Sequence, residues 1–416
     1  MPHTRLEWMY PGIGIKRWLF IGFAGGVLLV YALLVGIGCV FSRTLLAGLG
    51  MGWMRDELWA ATLIVGEGVA LGLVAVALAM RGIVRFERAK SETAREILLH
   101  GRLARGPRVV AIGGGNGLAA LLAGLKHHTS NLTAIVTVAD DGGSSGRLRH
   151  DMGILPPGDI RNCLVALADD ESLMSRLFQY RFANGGLQGH SFGNLFVAAL
   201  AAVTGDFERA VAESTSVLKV RGRVLPATLD NVTLHAQMQG GVHVSGESTI
   251  TAAEHLPLRV WLTPEAPRPL PEALEALERA DLIVLGPGSL YTSVIPNLLV
   301  AEVCQALKST RAEVVYVCNV MSQPGETDGY SAADHVAALL RHGVAGMVDV
   351  VLVNDTLASP DLERVYHDAG ARPVSVDDDR LVQLGVRVVH ASLATGSNVF
   401  RHDPALLTEA LLRFAR

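Results

Sequence analysis

Residues 108–117 read Arg108-Val109-Val110-Ala111-Ile112-Gly113-Gly114-Gly115-Asn116-Gly117, and LAALLAGLKHH runs on from Leu118. An unbroken apolar run rich in β-branched residues predicts a strand buried on both faces. The glycine-rich turn that follows leads into leucines at helical spacing. Strand, glycine loop and helix open a βαβ unit. A loop of this kind lets main-chain N–H groups approach an anion beside the positive end of a helix. It is not a Walker A loop, because no Lys-Ser/Thr follows, and it lacks the G-x-G-x-x-G spacing of a nicotinamide site.

The same rhythm continues outward. Leu132–Ala139 (LTAIVTVA), Leu282–Leu285, Val314–Val317 and Val348–Val353 are apolar strand runs, with helical stretches at Asn297–Lys308 and Ala332–His342. Continuous Val/Ile runs separated by helices predict an α/β protein with a parallel sheet covered on both faces. Val224–Pro264 alternates with period two and reads as an antiparallel β insertion in the same domain, residues 107–416.

In such sheets ligands bind beyond the carboxyl ends of the strands, so the loops there carry the chemistry. Residues 137–149 (TVADDGGSSGRLR) place Asp140 and Asp141 where they would take Mg²⁺ or a ribose hydroxyl, with Arg147 for phosphate. Asp159 precedes a helix, where such a residue is ordinarily just a cap. His190, Ser191 and Asn194 share a glycine-framed turn, Gly286–Ser293 forms a second candidate anion nest, and Asn319 ends its own strand. Five polar, glycine-rich strand-end loops predict one shared ligand site.

The N-terminus is of another kind. Leu19–Phe41 holds no charge, and Leu58–Met80 is interrupted only by Glu67. Each is long enough to cross a hydrocarbon core of roughly 30 Å, so residues 1–81 are expected to form a transmembrane hairpin (spans 19–41 and 58–80). Arg5, Lys16 and Arg17 precede the first span, and Arg81, Arg85, Arg88 and Lys90 follow the second. That bias predicts an inner (plasma) membrane protein with both ends and the main domain cytoplasmic. Glu67 costs about 3 kcal/mol at mid-membrane and is read as protonated or hydrogen-bonded between the helices. Residues 82–106 read as a charged juxtamembrane linker helix.

Composition agrees with this division. Half of the 416 residues are hydrophobic, and the first ninety carry nine Lys+Arg against five Asp+Glu, although the whole chain is at −4. The main domain is therefore net acidic, which argues against a nucleic-acid binder. Four scattered cysteines without a C-x-x-C pair fit a reducing cytosol and no structural zinc site.

GGGNGLAALLAGLK, AIVTVADDGGSSGRLR, PPGDIRNCLVALAD, GHSFGNL, VLGPGSLYTS, YVCNVMSQPGET and FRHDP, in that order, closely resemble the YvcK-type gluconeogenesis factors of the CofD-like superfamily. The resemblance implies a three-layer Rossmann-like core that binds a nucleotide-sugar such as UDP-N-acetylglucosamine, and a role in cell-envelope morphogenesis. Envelope-synthesis proteins and a second copy of the chain are the expected partners. A more distant transferase branch moves phospholactate with Mg²⁺ held by aspartates aligned with Asp140, Asp141 and the Asp159 segment. This chain lacks that branch's Asn-Thr-Gly-Asp-Asp pattern, and a transmembrane hairpin is an addition many relatives lack.

Joining the two readings, Gly114, Gly115, Asn116 and Gly117 are assigned to the diphosphate. Asp140 and Asp141 take ribose or Mg²⁺, and Ser144, Ser145 and Arg147 complete the anion site. Asp159, Arg161 and Asn162 line the crevice, with His190, Ser191 and Asn194 opposite and Gly288, Ser289 and Asn319 in neighbouring loops. Tyr366 is assigned to uracil and Arg401 to phosphate, although a lone tyrosine more often packs. No catalytic residue is assigned, since no nucleophile elbow or H-E-x-x-H is present. Binding without turnover is the first expectation, and a Mg²⁺-dependent phosphoryl-group transferase is the alternative.

Overall fold

The computed structural model describes residues 15–48, 65–81, 101–168, 173–395 and 400–415. Contacts divide the chain into two units, Met1–His100 and Gly101–Arg416.

In the first unit a helix runs Ile15–Gly48, and Phe20–Ser42 within it is apolar and long enough to cross a membrane. Residues 65–81 form a second helix that packs on the first through small residues. A Cβ on Gly25 would lie 2.7 Å from that of Ala75, so the backbones approach closely. Within the described residues only 65–81 of the expected second span is helical, and one helix meets the length for a crossing. Glu67 is exposed on the outside of this pair, which corrects the reading that it bonds between the helices. The linker helix expected at 82–106 falls almost wholly outside the described residues.

The described residues of the second unit form twelve strands: β1 (Val109–Gly113), β2 (Leu132–Val136), β3 (Arg223–Pro226), β4 (Thr233–Met238), β5 (His243–Ser245), β6 (Pro257–Thr263), β7 (Leu282–Leu285), β8 (Glu313–Val317), β9 (Val350–Asn354), β10 (Arg387–Ala391), β11 (Ala394–Thr395) and β12 (Arg401–His402). Seven make one sheet in the order β10-β9-β8-β7-β1-β2-β3, parallel throughout. β1, β2 and β7 are buried along their whole length, as their unbroken apolar runs require. Ile112 and Leu285 are fully buried, each worth about 1.5–3 kcal/mol of apolar transfer.

From β1 the chain winds outward to β2 and β3, then returns to β7 and winds the other way. Right-handed crossovers in opposite directions place helices on opposite faces. Accordingly helices Gly115–Leu125, Gly158–Leu167 and Pro404–Leu412 pack as one group, and Pro271–Glu278 packs with Ala301–Ser309. The fold is the expected three-layer Rossmann-like α/β sandwich.

β4, β5 and β6 form the antiparallel insertion. It begins later than the alternation at Val224 suggested, because Arg223–Pro226 pairs with β2 at the parallel sheet's edge. β10, at the other edge, is half-exposed and carries no continuous apolar run to betray it. The single helix expected over Asn297–Lys308 is broken near Val300, where two helical pieces meet at 76°.

Candidate functional site

β1 and β7 are neighbours, and winding reverses between them. The loops that follow them, Gly113–Gly117 and Gly286–Ser293, therefore border the topological switch point, where open α/β sheets bind ligands. A cavity of about 380 Å³ opens there, lined by Gly114, Gly115, Asn116, Gly117, Thr137, Asp140, Asp159, Glu247, Gly288, Ser289, Thr292 and Ser293.

Small residues are required on its floor. A Cβ on Gly114 would stand 2.4 Å from Oδ2 of Asp159, and one on Gly117 would stand 2.6 Å from the Pro287 carbonyl oxygen. Gly115, at φ +64, turns the chain into helix Gly115–Leu125. Its N–H donates to the Asp159 carboxylate, so an internal acid already sits at this helix N-terminus.

The cavity is acidic. Burial, and then Asp140, push the Asp159 carboxyl up to about 6 despite the Gly115 bond. Burial, followed by Asp140 and Asp141, pushes Glu247 up to about 7. Two cations act on these acids from outside the lining: Arg149, whose guanidinium burial lowers while Asp141 and Asp140 raise it, and Arg161, which draws Asp159 down. Among the described residues no cationic side chain lines the cavity itself. Beneath the second loop, Glu326 is fully buried and accepts from the N–H groups of Tyr291 (2.8 Å) and Thr292 (2.9 Å). Burial outweighs those bonds and pushes its carboxyl up to about 7. These donors of the Gly286–Ser293 nest are thus consumed internally, which leaves Gly288, Ser289, Thr292 and Ser293 as its contribution to the cavity wall.

Of the residues expected from the sequence, Gly114, Gly115, Asn116, Gly117, Asp140, Asp159, Gly288 and Ser289 line this cavity. Others stand elsewhere. Asp141 turns away, and its Oδ1 accepts the Ser248 N–H at 2.9 Å at the start of helix Glu247–Thr251. Ser144 and Ser145 are buried behind the cavity, where Asn194 donates to both and His190 meets Ser144 at 3.1 Å. Ser191 caps helix Phe192–Thr204. Arg147 is exposed and donates to the Gln188 carbonyl, and Arg161 and Asn162 are half-buried on helix Gly158–Leu167 outside the lining.

Asn319 lines a separate cavity of about 90 Å³ at the ends of β8 and β9. The Tyr366 hydroxyl donates to the Phe400 carbonyl (3.1 Å) and accepts its N–H (3.0 Å), within an apolar cluster. That ring packs and is not presented to the cavity, which corrects its assignment to a base. Arg401 is exposed on the β11–β12 ribbon, outside the lining.

The reading of the sequence missed Glu247; Thr137, Thr292 and Ser293 lie inside the loop segments it singled out but were not assigned individually. Glu247 carries no local signal, because only the fold of the insertion brings it over the loop after β2. Asp140, Asp159 and Glu247 share the cavity, but among the described residues no three His, Cys, Asp or Glu side chains draw together as a metal cage.

A doubly wound parallel sheet with a glycine loop and an acidic cavity at its switch point defines a Rossmann-like α/β protein. Within that class the chain belongs to the family described as 2-phospho-L-lactate transferase CofD, whose profile matches residues 109–394. It is similar to the gluconeogenesis factor of Bacillus subtilis, 52% identical over 299 residues that cover 71% of this chain and 94% of the relative. A relative from Nostoc sp. is 46% identical over 420 residues, covering 98% of this chain and 92% of its own, so that similarity extends into the apolar N-terminus. The crystal structure of a UPF0052 family member from Bacillus halodurans, 51% identical, superposes with a TM-score of 0.71 over 73% of this chain and 99% of its own.

Proposed function

We propose that the chain is a membrane-anchored nucleotide-sugar-binding protein, of the UDP-N-acetylglucosamine type, that acts as a gluconeogenesis and cell-envelope factor. The observation that carries the reading is the cavity at the switch point, with Gly114–Gly117 on its floor and a volume of about 380 Å³. That volume is within the ordinary range of small-molecule sites, roughly 300–1,000 Å³. Relatives named gluconeogenesis factor support the physiological part. The apolar helix over Phe20–Ser42 supports a membrane anchor, and the Lys and Arg that flank the two apolar runs support a cytoplasmic main domain. Calorimetric titration of the full chain with UDP-N-acetylglucosamine tests the reading, and no uptake would refute it.

A specific observation favours a second reading, a Mg²⁺-dependent phosphoryl-group transferase. A diphosphate beside Asp140, Asp159 and Glu247 meets like charge, and among the described residues no cationic side chain lines the cavity. Asp140 and Asp159 offer the hard oxygen ligands that Mg²⁺ prefers. Bound there, the ion would neutralise diphosphate charge and polarise a phosphoryl oxygen. Incubating the protein with UDP-N-acetylglucosamine and Mg²⁺ separates the readings: a new phosphorylated product supports transfer, and unchanged ligand supports binding alone.

A further inference from the structure

Three arginines gather around the turn that precedes helix Phe192–Thr204. Arg147 Nη2 donates to the Gln188 carbonyl at 2.9 Å, and Arg181 Nη1 donates to the Gly189 carbonyl at 2.6 Å. Arg161 packs so closely under the same turn that a Cβ on Gly193 would stand 2.7 Å from its Cγ. The Arg161 Nε is buried and has no hydrogen-bond partner. Among the described residues none of the three forms an ion pair with a carboxylate.

The surroundings reinforce the positive charge. Helix Phe192–Thr204, 13 residues long, directs its N-terminus at the turn. Burial, and then the neighbouring Arg181, lower the Arg161 guanidinium's proton affinity, against the opposing charge of Asp159. Burial, and then Arg147, lower that of His190, with Asp151 opposing. Three guanidinium groups at one turn, none of them in a direct ion pair among the described residues and one with an orphaned donor, contrast with the acidic cavity. Between the two lies the buried wall of Ser144, Ser145 and Asn194.

We propose that Arg147, Arg161 and Arg181 form a second oxyanion site, for a phosphate monoester or carboxylate group, separate from the one at Gly114–Gly117. The site deepens the function proposed above by giving its ligand, or a second ligand, another anionic anchor. Arg181 and Arg147 are exposed, so the site is open to solute. Their forked N–H groups match a phosphate or carboxylate edge.

The test titrates inorganic phosphate into the full chain in detergent, followed by calorimetry. Saturable uptake is expected, weakened at least tenfold in Arg181→Gln and less in Arg181→Lys, which keeps the charge but loses the fork, with circular dichroism confirming that both variants fold. Repeating the titration at saturating UDP-N-acetylglucosamine distinguishes the sources. Persistent phosphate uptake assigns the site to a second ligand, and lost uptake assigns it to the distal part of the same ligand. No saturable uptake by the wild type, or equal uptake by Arg181→Gln, overturns the site. If phosphate binds through Arg181 while the nucleotide-sugar does not bind at all, the function proposed above fails and this site stands.

Discussion

Oδ2 of Asp159 lies so near the Cα of Gly114 that a Cβ there would stand only 2.4 Å from it. The glycine loop and the acid beneath it are therefore one unit. The loop can approach a ligand because it has no side chain, and the acid fills the space that a side chain would take. Gly114→Ala must push Asp159 aside and disturb the Gly115 bond. Affinity for UDP-N-acetylglucosamine is expected to fall at least tenfold by calorimetry, and an unchanged value would separate the loop from the ligand.

The acids of the cavity give binding a pH dependence. Asp159 and Glu247, pushed up to about 6 and about 7, gain charge as pH rises from 5.5 to 8. Each ionisation opposes a bound diphosphate, so affinity measured without Mg²⁺ should weaken about tenfold across that interval, the equivalent of about 1.4 kcal/mol. Adding Mg²⁺ should restore it, and Glu247→Gln should flatten the profile. A pH-independent affinity would place the diphosphate away from these groups.

Glu326 makes a prediction about stability. Its carboxyl is pushed up to about 7 when folded, from the ordinary range near 4.3 when unfolded. The folded state thus holds the proton more tightly. Its contribution is fully present below about pH 4 and is lost as pH rises through about 7. Glu326→Gln should leave thermal stability alike at the acidic end and raise it above pH 7, by an amount on the order of 2–3 kcal/mol. Melting curves from pH 4 to pH 8.5 decide it, and a variant destabilised equally at every pH would contradict the account.

Tyr366 tests the division between packing and binding. Tyr366→Phe removes both bonds to the Phe400 backbone and should cost about 1–2 kcal/mol of stability. Nucleotide-sugar affinity should stay within twofold. A large loss of affinity with unchanged melting would return the ring to the ligand.

A chain beginning at Gly101 should fold without the apolar N-terminus. That unit holds the whole seven-stranded sheet and its core, and the solved relative from Bacillus halodurans is 99% covered by the alignment to 73% of this chain. Expression of residues 101–416 should give a protein free of detergent with the full chain's ligand affinity, checked by calorimetry on both.

Much of this protein was legible residue by residue. Apolar runs such as Val109–Gly113 and Leu282–Leu285 announce strands buried on both faces, because nothing polar interrupts them. Glycine clusters after those runs mark where backbone must pass close to something, and Leu19–Phe41 declares its length and lack of charge without any tertiary context. Edge strands were harder: Arg387–Ala391 is half-exposed, and Arg223–Pro226 merges with an alternating stretch.

What each polar side chain faces was settled by tertiary structure alone. Asp140 and Asp141 are adjacent in sequence, yet one lines the cavity and the other bonds to Ser248, 107 residues further along. Glu247 enters the cavity because the insertion folds back over the loop after β2. Tyr366 is spent on Phe400, 34 residues away. Local patterns report which backbone conformations and which buried faces are favourable, since these depend on neighbours in the chain. The direction of a carboxylate depends on partners that only long-range packing brings within hydrogen-bonding distance.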